Sequence, residues 1–350
     1  MAYTTIDDPS AYFHTQLYTG NGSSGHSITN DANAGDFKPD WLWLKPRSLA
    51  DNHVVLDSSR TSNKRLKINS NDAEDSDSTA LITFETDGFD LDTTDQNFNQ
   101  SSATYVAWQW KANGGTTSSN SDGGVTGTIQ ANTTAGFSII LYTGTGSAST
   151  VGHGLSDTPD WIIYKRRSGG TRDWMVYHNG TGSGKGMILN STSAGDTASS
   201  IFGGNTPTST TIPIGSATET NTSSESHIAY AFAEKQGYSK FGSYTGNGNA
   251  DGPFIYTGFK PAWVMVKESD GTGQWRIRDN KRSTFNAVGV VLYANGNDAE
   301  ATEDNVDFLS NGFKIRTSGG ENNGSSDNYI YMAFAEHPFV SSKGVPTTAR

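Results

Sequence analysis

Phe137-Ser138-Ile139-Ile140-Leu141-Tyr142-Thr143-Gly144-Thr145-Gly146 is an apolar run that ends in a turn bracketed by two glycines. A continuous apolar stretch of this length, closed by turn residues, reads as a buried strand. The chain repeats its end twice more, as Leu17-Tyr18-Thr19-Gly20-Asn21-Gly22 and Ser243-Tyr244-Thr245-Gly246-Asn247-Gly248.

Downstream of each copy comes a proline, one residue, a tryptophan and an apolar stretch that ends in lysine. These are Pro39-Asp40-Trp41-Leu42-Trp43-Leu44-Lys45, Pro159-Asp160-Trp161-Ile162-Ile163-Tyr164-Lys165 and Pro261-Ala262-Trp263-Val264-Met265-Val266-Lys267. The copies close on Tyr105–Lys111, Ile228–Glu234 and Tyr329–Glu336. The tryptophans lie a domain's length apart, beyond the roughly 20–50-residue period of solenoid units. The scaffold is therefore expected to be a duplicated domain. Repeats one and three also share a turn into an apolar strand, Asp87-Gly88-Phe89 and Asn311-Gly312-Phe313. Repeat two has Ile201-Phe202 and Ile212-Pro213-Ile214 in that region.

Only 33% of the 350 residues are hydrophobic and 17% charged, with 40 glycines. Short strands joined by polar turns have this profile. Aromatics reach 11% and cluster in strand-like runs, which argues against disorder. The expected fold is all-β: two or three repeated β-sandwich domains of jelly-roll or concanavalin-like type, with helix in less than a tenth of residues.

The boundaries expected are an N-terminal arm at 1–11, repeat one at 12–111, a Gly/Ser/Thr linker at 112–125, repeat two at 126–236, repeat three at 237–339 and a tail at 340–350. The linker has almost nothing apolar to pin it, so repeat one should keep its own core around Trp41, Trp108 and Trp110. Repeats two and three, joined within a few residues, should pack together through Phe232, Tyr238 and Phe241.

Several chemistries lack their residues. Without cysteine there are no disulfides and no thiolate sites. No apolar run is long enough to span a membrane. The Met1–Pro9 stretch has no basic region and no apolar core, so no signal peptide is expected. The formal net charge of −11, with scattered cations, disfavours nucleic acid as a partner. Zinc-hydrolase and nucleophile-elbow motifs are missing, so no catalytic residue, cofactor or enzymatic activity is expected.

Trp41, Trp161 and Trp263 read as core. Trp174 and Trp275 alternate with polar residues. With Tyr177 and Arg278 they are the candidates for a sugar-binding surface. The acidic runs supply weak calcium candidates in Asp72, Asp75, Asp77, Asp298 and Glu300, although neither run has EF-hand spacing. A glycan depolymerase would need paired carboxylates. Asp173, Asp279 and Asp307 lie near candidate strands, but nothing in the sequence pairs them.

The blocks Tyr105–Gly115, Gly136–Gly144, Gly237–Gly248, Phe259–Lys267 and Tyr329–Glu336 together resemble repeated blocks of marine tailed-bacteriophage structural proteins. The resemblance covers nearly the whole chain, although repeat two departs from the pattern around 191–227. It implies concanavalin-like sandwiches in a tail-fibre or capsid-decoration protein that is a homo-oligomer, located in the virion after assembly in the host cytoplasm. Other virion proteins are then its partners, and a host-surface glycan a further one. The alternative is a lectin-like receptor-recognition module.

Overall fold

The computed structural model describes residues 2–31, 37–197, 199–303 and 305–347. Met1 of the arm, Asp304 of the second acidic run and residues 348–350 of the tail lie outside them. Strands account for 41% of residues and helix for 6%, so the fold is all-β as the patterning implies. No described helix is long and apolar enough to cross a membrane.

Each repeat is a large antiparallel sheet backed by a small one. In repeat one the large sheet runs Phe13–Thr19, Thr104–Trp110, Trp41–Pro46, Val54–Asp57, Lys64–Lys67, Asp75–Ser76. Repeat three copies that order with Ser239–Thr245, Asn328–Pro338, Phe259–Glu268, Arg276–Asp279, Val290–Tyr293, Ala301–Thr302. Repeat two keeps the same inner order around Phe137–Thr143, Ser226–Phe232 and Trp161–Arg166. It adds Gly127–Asn132 and Ser118–Asn120 at one edge. The backing sheets have three strands in repeats one and three. In repeat two only Ser149–Gly152 and Thr211–Ile214 remain. That sheet is one strand short where the sequence lacks the Gly-Phe hairpin.

The Trp41–Pro46 and Trp161–Arg166 strands are buried at every residue, one side chain after another. Successive side chains on a strand face opposite sides. Both faces of these sheets are therefore covered. One face packs on the backing sheet of its own repeat, in cores built around Leu42 and Phe89, Ile162 and Phe202, and Val264 and Phe313. The other faces of all three large sheets meet in one common core. All eight tryptophans are fully buried. Trp41 stacks on Tyr230 of repeat two, with centroids 4.6 Å apart, and Phe13 stacks on Phe334 of repeat three at 5.0 Å.

Two expectations are corrected. Repeat one does not keep Trp41, Trp108 and Trp110 in a core of its own. They join Phe232, Tyr238 and Phe241 in the shared cluster, because the second face of its sheet has no other apolar cover. The 112–125 linker, expected to be flexible or draped over the surface, is instead bonded into place. Ser118–Asn120 pairs with Gly127–Asn132, and Gly114 and Gly115 donate to Asp40 and Gln130. Polar main-chain bonding holds the segment without apolar side chains.

The three repeats close into a ring through equivalent loops. Glu74 N–H donates to the Arg167 carbonyl at 2.9 Å, from repeat one to repeat two. Gly195 N–H donates to the Ser269 carbonyl at 3.1 Å, from two to three. Glu300 N–H donates to the Arg47 carbonyl at 2.9 Å, from three back to one. The termini lock the last seam: Ser342 N–H and Oγ donate to Asp7, and Ile6 enters the shared core.

Candidate functional site

The residues repeated three times converge on three structural devices. The first explains the Tyr-Thr-Gly-x-Gly motif. A one-turn helix in each repeat ends on an asparagine, Asn99, Asn221 or Asn323. The Oδ1 atoms of these residues accept from the N–H groups of Asn21, Thr145 and Asn247, at 2.9, 2.7 and 2.7 Å. Their own carbonyls accept from Gly22, Gly146 and Gly248. Those glycines sit at φ +70°, +77° and +64°, where a side chain is strained. The preceding glycines fit for another reason. A Cβ on Gly144 would lie 2.1 Å from the Thr222 carbonyl oxygen. The motif tyrosines donate to the same helix, Tyr18 to the Phe98 carbonyl and Tyr244 to that of Asn322.

The second device is the lysine that ends each tryptophan strand. Lys45, Lys165 and Lys267 are all fully buried. Their ammonium groups donate to main-chain carbonyls, those of Pro46, Leu49 and Asn297 for Lys45 and those of Arg172 and Asn71 for Lys165. Lys45 and Lys165 thereby tie their own loops to the loop of a neighbouring repeat. Lys267 bonds the Glu268 and Gly271 carbonyls of its own repeat. Burial pushes all three down to about 8, against the pull of Asp51, Asp173 and Glu268 in turn.

The third device is a buried polar group opposite each tryptophan. Asp57 pairs with Trp41 across the strands, His178 with Trp161 and Asp279 with Trp263. Asp57 binds Arg60 at 2.6 Å and accepts from Tyr230 of repeat two. Asp279 binds Arg282 at 2.6 Å and accepts from the Trp108 indole of repeat one. His178 faces repeat three, and burial lowers it to about 4. The Asp57–Arg60 and Asp279–Arg282 pairs lie in the seams between repeats, where an unpaired charge would be costly.

The sugar-site candidates do not form a surface. Trp174 and Trp275 are fully buried. Their indole N–H groups donate across seams, to the carbonyls of Lys67 and Ile188. His53 holds the equivalent place in repeat one, where it accepts from Trp43. Tyr177 packs edge-on to Phe202 in the outer core of repeat two. Arg278 is held by Glu303 and Asn305 in repeat three, and burial lowers it to about 10 against the pull of Glu303. Buried rings in different cores offer no face to a sugar.

The acidic candidates are engaged one by one. Asp75 pairs with Arg65, Asp72 with Lys67 and Glu300 with Arg47. Asp77 accepts from Ser78 N–H, and Asp298 lies among the charges facing Lys45. No cluster of three His, Asp or Glu side chains able to hold a metal occurs among the described residues. The acid that matters in the first run is Glu74. It binds Arg60, Lys64 and Arg167. Burial opposes its ionisation, but Arg167 and Arg60 hold it down to about 2. The carboxylates considered for hydrolysis are separately committed, Asp173 to Asn190, Asp279 to Arg282 and Asp307 to Arg316.

A cavity of about 580 Å³ lies at the seam between repeats three and one. Thr15 and Ala262 line it. By strand position they correspond to Ile139 or Phe241 and to Asp40 or Asp160.

The chain belongs to a family described as a domain of unknown function (DUF7483), whose profile matches residues 8–338. The match spans all three repeats. No curated protein and no solved structure matches the chain.

Proposed function

For this member of the DUF7483 family we propose a structural, non-enzymatic role as a component of a tailed-phage virion, in a fibre, in the tail or on the capsid. One observation carries the reading. The residues common to the three repeats are spent on turn pinning, seam bonding and core, and none converges on an open cleft. The resemblance of the repeated blocks to phage structural proteins points the same way. A closed ring of three like sandwiches around one shared core suits docking among other virion proteins. Residues 2–11 of the arm pack on repeat three and on the tail of their own chain, so attachment to neighbours falls to outer surfaces.

The test is mass spectrometry of purified particles, followed by mapping of the chain on the particle by electron cryomicroscopy. Stoichiometric presence in the virion supports the reading. A chain abundant in infected cells and missing from particles contradicts it.

A further inference from the structure

Repeat three departs from its sisters on the outer face of its backing sheet. In the backing sheet of repeat one, Ile28 pairs with Phe89. In repeat three, Ile255 pairs with Phe313 in the same way. The residues on either side of that isoleucine point to solvent. In repeat one they are Ser27 and Thr29, both small and exposed. In repeat two the corresponding Val151 is flanked by Thr150 and Gly152. In repeat three they are Phe254 and Tyr256, 44% and 54% exposed. Two large aromatics thus stand where the scaffold needs only small residues.

Their geometry suits ring stacking. They lie two positions apart on one strand, so their side chains share a face at about 7 Å spacing. Gly312 leaves room for the Phe254 ring, since a Cβ there would come within 2.9 Å of it. Tyr3 of the N-terminal arm stands 3.4 Å from the Tyr256 hydroxyl and is itself fixed on the Gly258 carbonyl. Opposite Phe254 on the neighbouring strand is Lys314, paired with the exposed Asp251 at 2.8 Å. The patch therefore combines two aromatic rings with hydroxyl, ammonium and carboxylate groups.

We infer that Phe254 and Tyr256, with Tyr3, Lys314 and Asp251 at the rim, form a binding site for the pyranose rings of a glycan chain. The weakly positive C–H face of a sugar ring lies well on the negative face of an aromatic. The rim groups can bond its hydroxyls. A protein partner is the competing occupant, and size decides against it. Two half-exposed aromatic rings offer about 200 Å², whereas a stable interface buries about 800 Å² on each partner. The inference does not depend on the virion reading.

The test uses the full chain and Phe254→Ser with Tyr256→Thr, which installs the residues of repeat one. Isothermal titration calorimetry is run with chitohexaose, cellohexaose, maltohexaose and lipopolysaccharide. Binding of at least one by the native chain, weakened about tenfold or more in the variant, supports the site. The altered residues are exposed, so the variant should keep its thermal midpoint. No heat with any of the four, or equal binding by both proteins, overturns the inference. A variant whose only change is loss of self-association in sedimentation overturns it too, in favour of a protein contact.

Discussion

At the residue scale, the asparagines that pin the motif turns are the sharpest case. Asn323 is fully buried and makes bonds to Asn247, Asn249 and Thr317 with its one amide. Replacing it with alanine strands several buried groups, each worth about 1–3 kcal/mol. Asn323→Ala should lower stability by about 3 kcal/mol or more in urea denaturation followed by circular dichroism. A loss below about 0.5 kcal/mol, the range of a neutral surface change, would contradict the account. Asp279→Ala should cost more, about 3–5 kcal/mol, because it leaves the Arg282 guanidinium buried without its partner. The turns themselves were legible in the sequence, since Gly-x-Gly recurred after each strand. The asparagine that holds them was not, because it lies far along the chain in a helix of a single turn with no apolar stripe.

At the element scale, strands of unbroken apolar residues were readable as buried. What was missed is that both of their faces are covered. Trp41-Leu42-Trp43-Leu44 is what a strand inside three layers looks like, and the alternation that marks a one-sided sheet is missing from it. Trp174 and Trp275 misled for the opposite reason. Their polar neighbours are tied within their own repeats, Asp173 to Asn190 and Gln274 to Asn295, so the alternation did not mean exposure. Ser118–Asn120 gave no sign of being a strand, since it is an edge held by main-chain bonds alone.

The buried lysines and histidines also act at this scale, and they set a pH profile. Burial lowers His178 and His227 to about 4, and lowers His14, His53 and His153 as well. A depressed histidine stays neutral in the fold while the unfolded chain takes up a proton below about pH 6.5. Stability should thus drop as pH falls from about 6.5 to 4, by as much as about 3 kcal/mol for each of His178 and His227. On the alkaline side the buried lysines shed protons near pH 8 in the fold and near 10.5 when unfolded. Stability should rise with pH between about 8 and 10, by up to about 1.4 kcal/mol per pH unit for each lysine. Above about 10 the buried tyrosines reverse the trend, because burial resists their ionisation in the fold. Urea midpoints from pH 4 to 11 should peak near pH 9–10. A flat profile between pH 4 and 9 would contradict this linkage.

At the scale of the whole molecule, duplication and fold class were legible, and the relation among the repeats was not. Linker composition suggested an independent first repeat. The second face of its sheet overrode that suggestion, since Trp41, Trp43, Trp108 and Trp110 need cover that only the other repeats supply. Removing repeat one would expose Phe137, Tyr230 and Phe232 of repeat two and open the ring at two seams. A fragment of residues 126–339 should therefore show a red-shifted tryptophan emission and no cooperative melt. A fragment that melts sharply with native-like emission would contradict the shared core.

The most direct test is scanning calorimetry of the intact chain. Three sandwiches around one aromatic core, with buried polar groups at every seam, should unfold as a unit. The expected trace is a single transition whose calorimetric and van't Hoff enthalpies agree. Two separable transitions, with the smaller one assigned to residues 12–111 by its absence from the 126–339 fragment, would contradict the account.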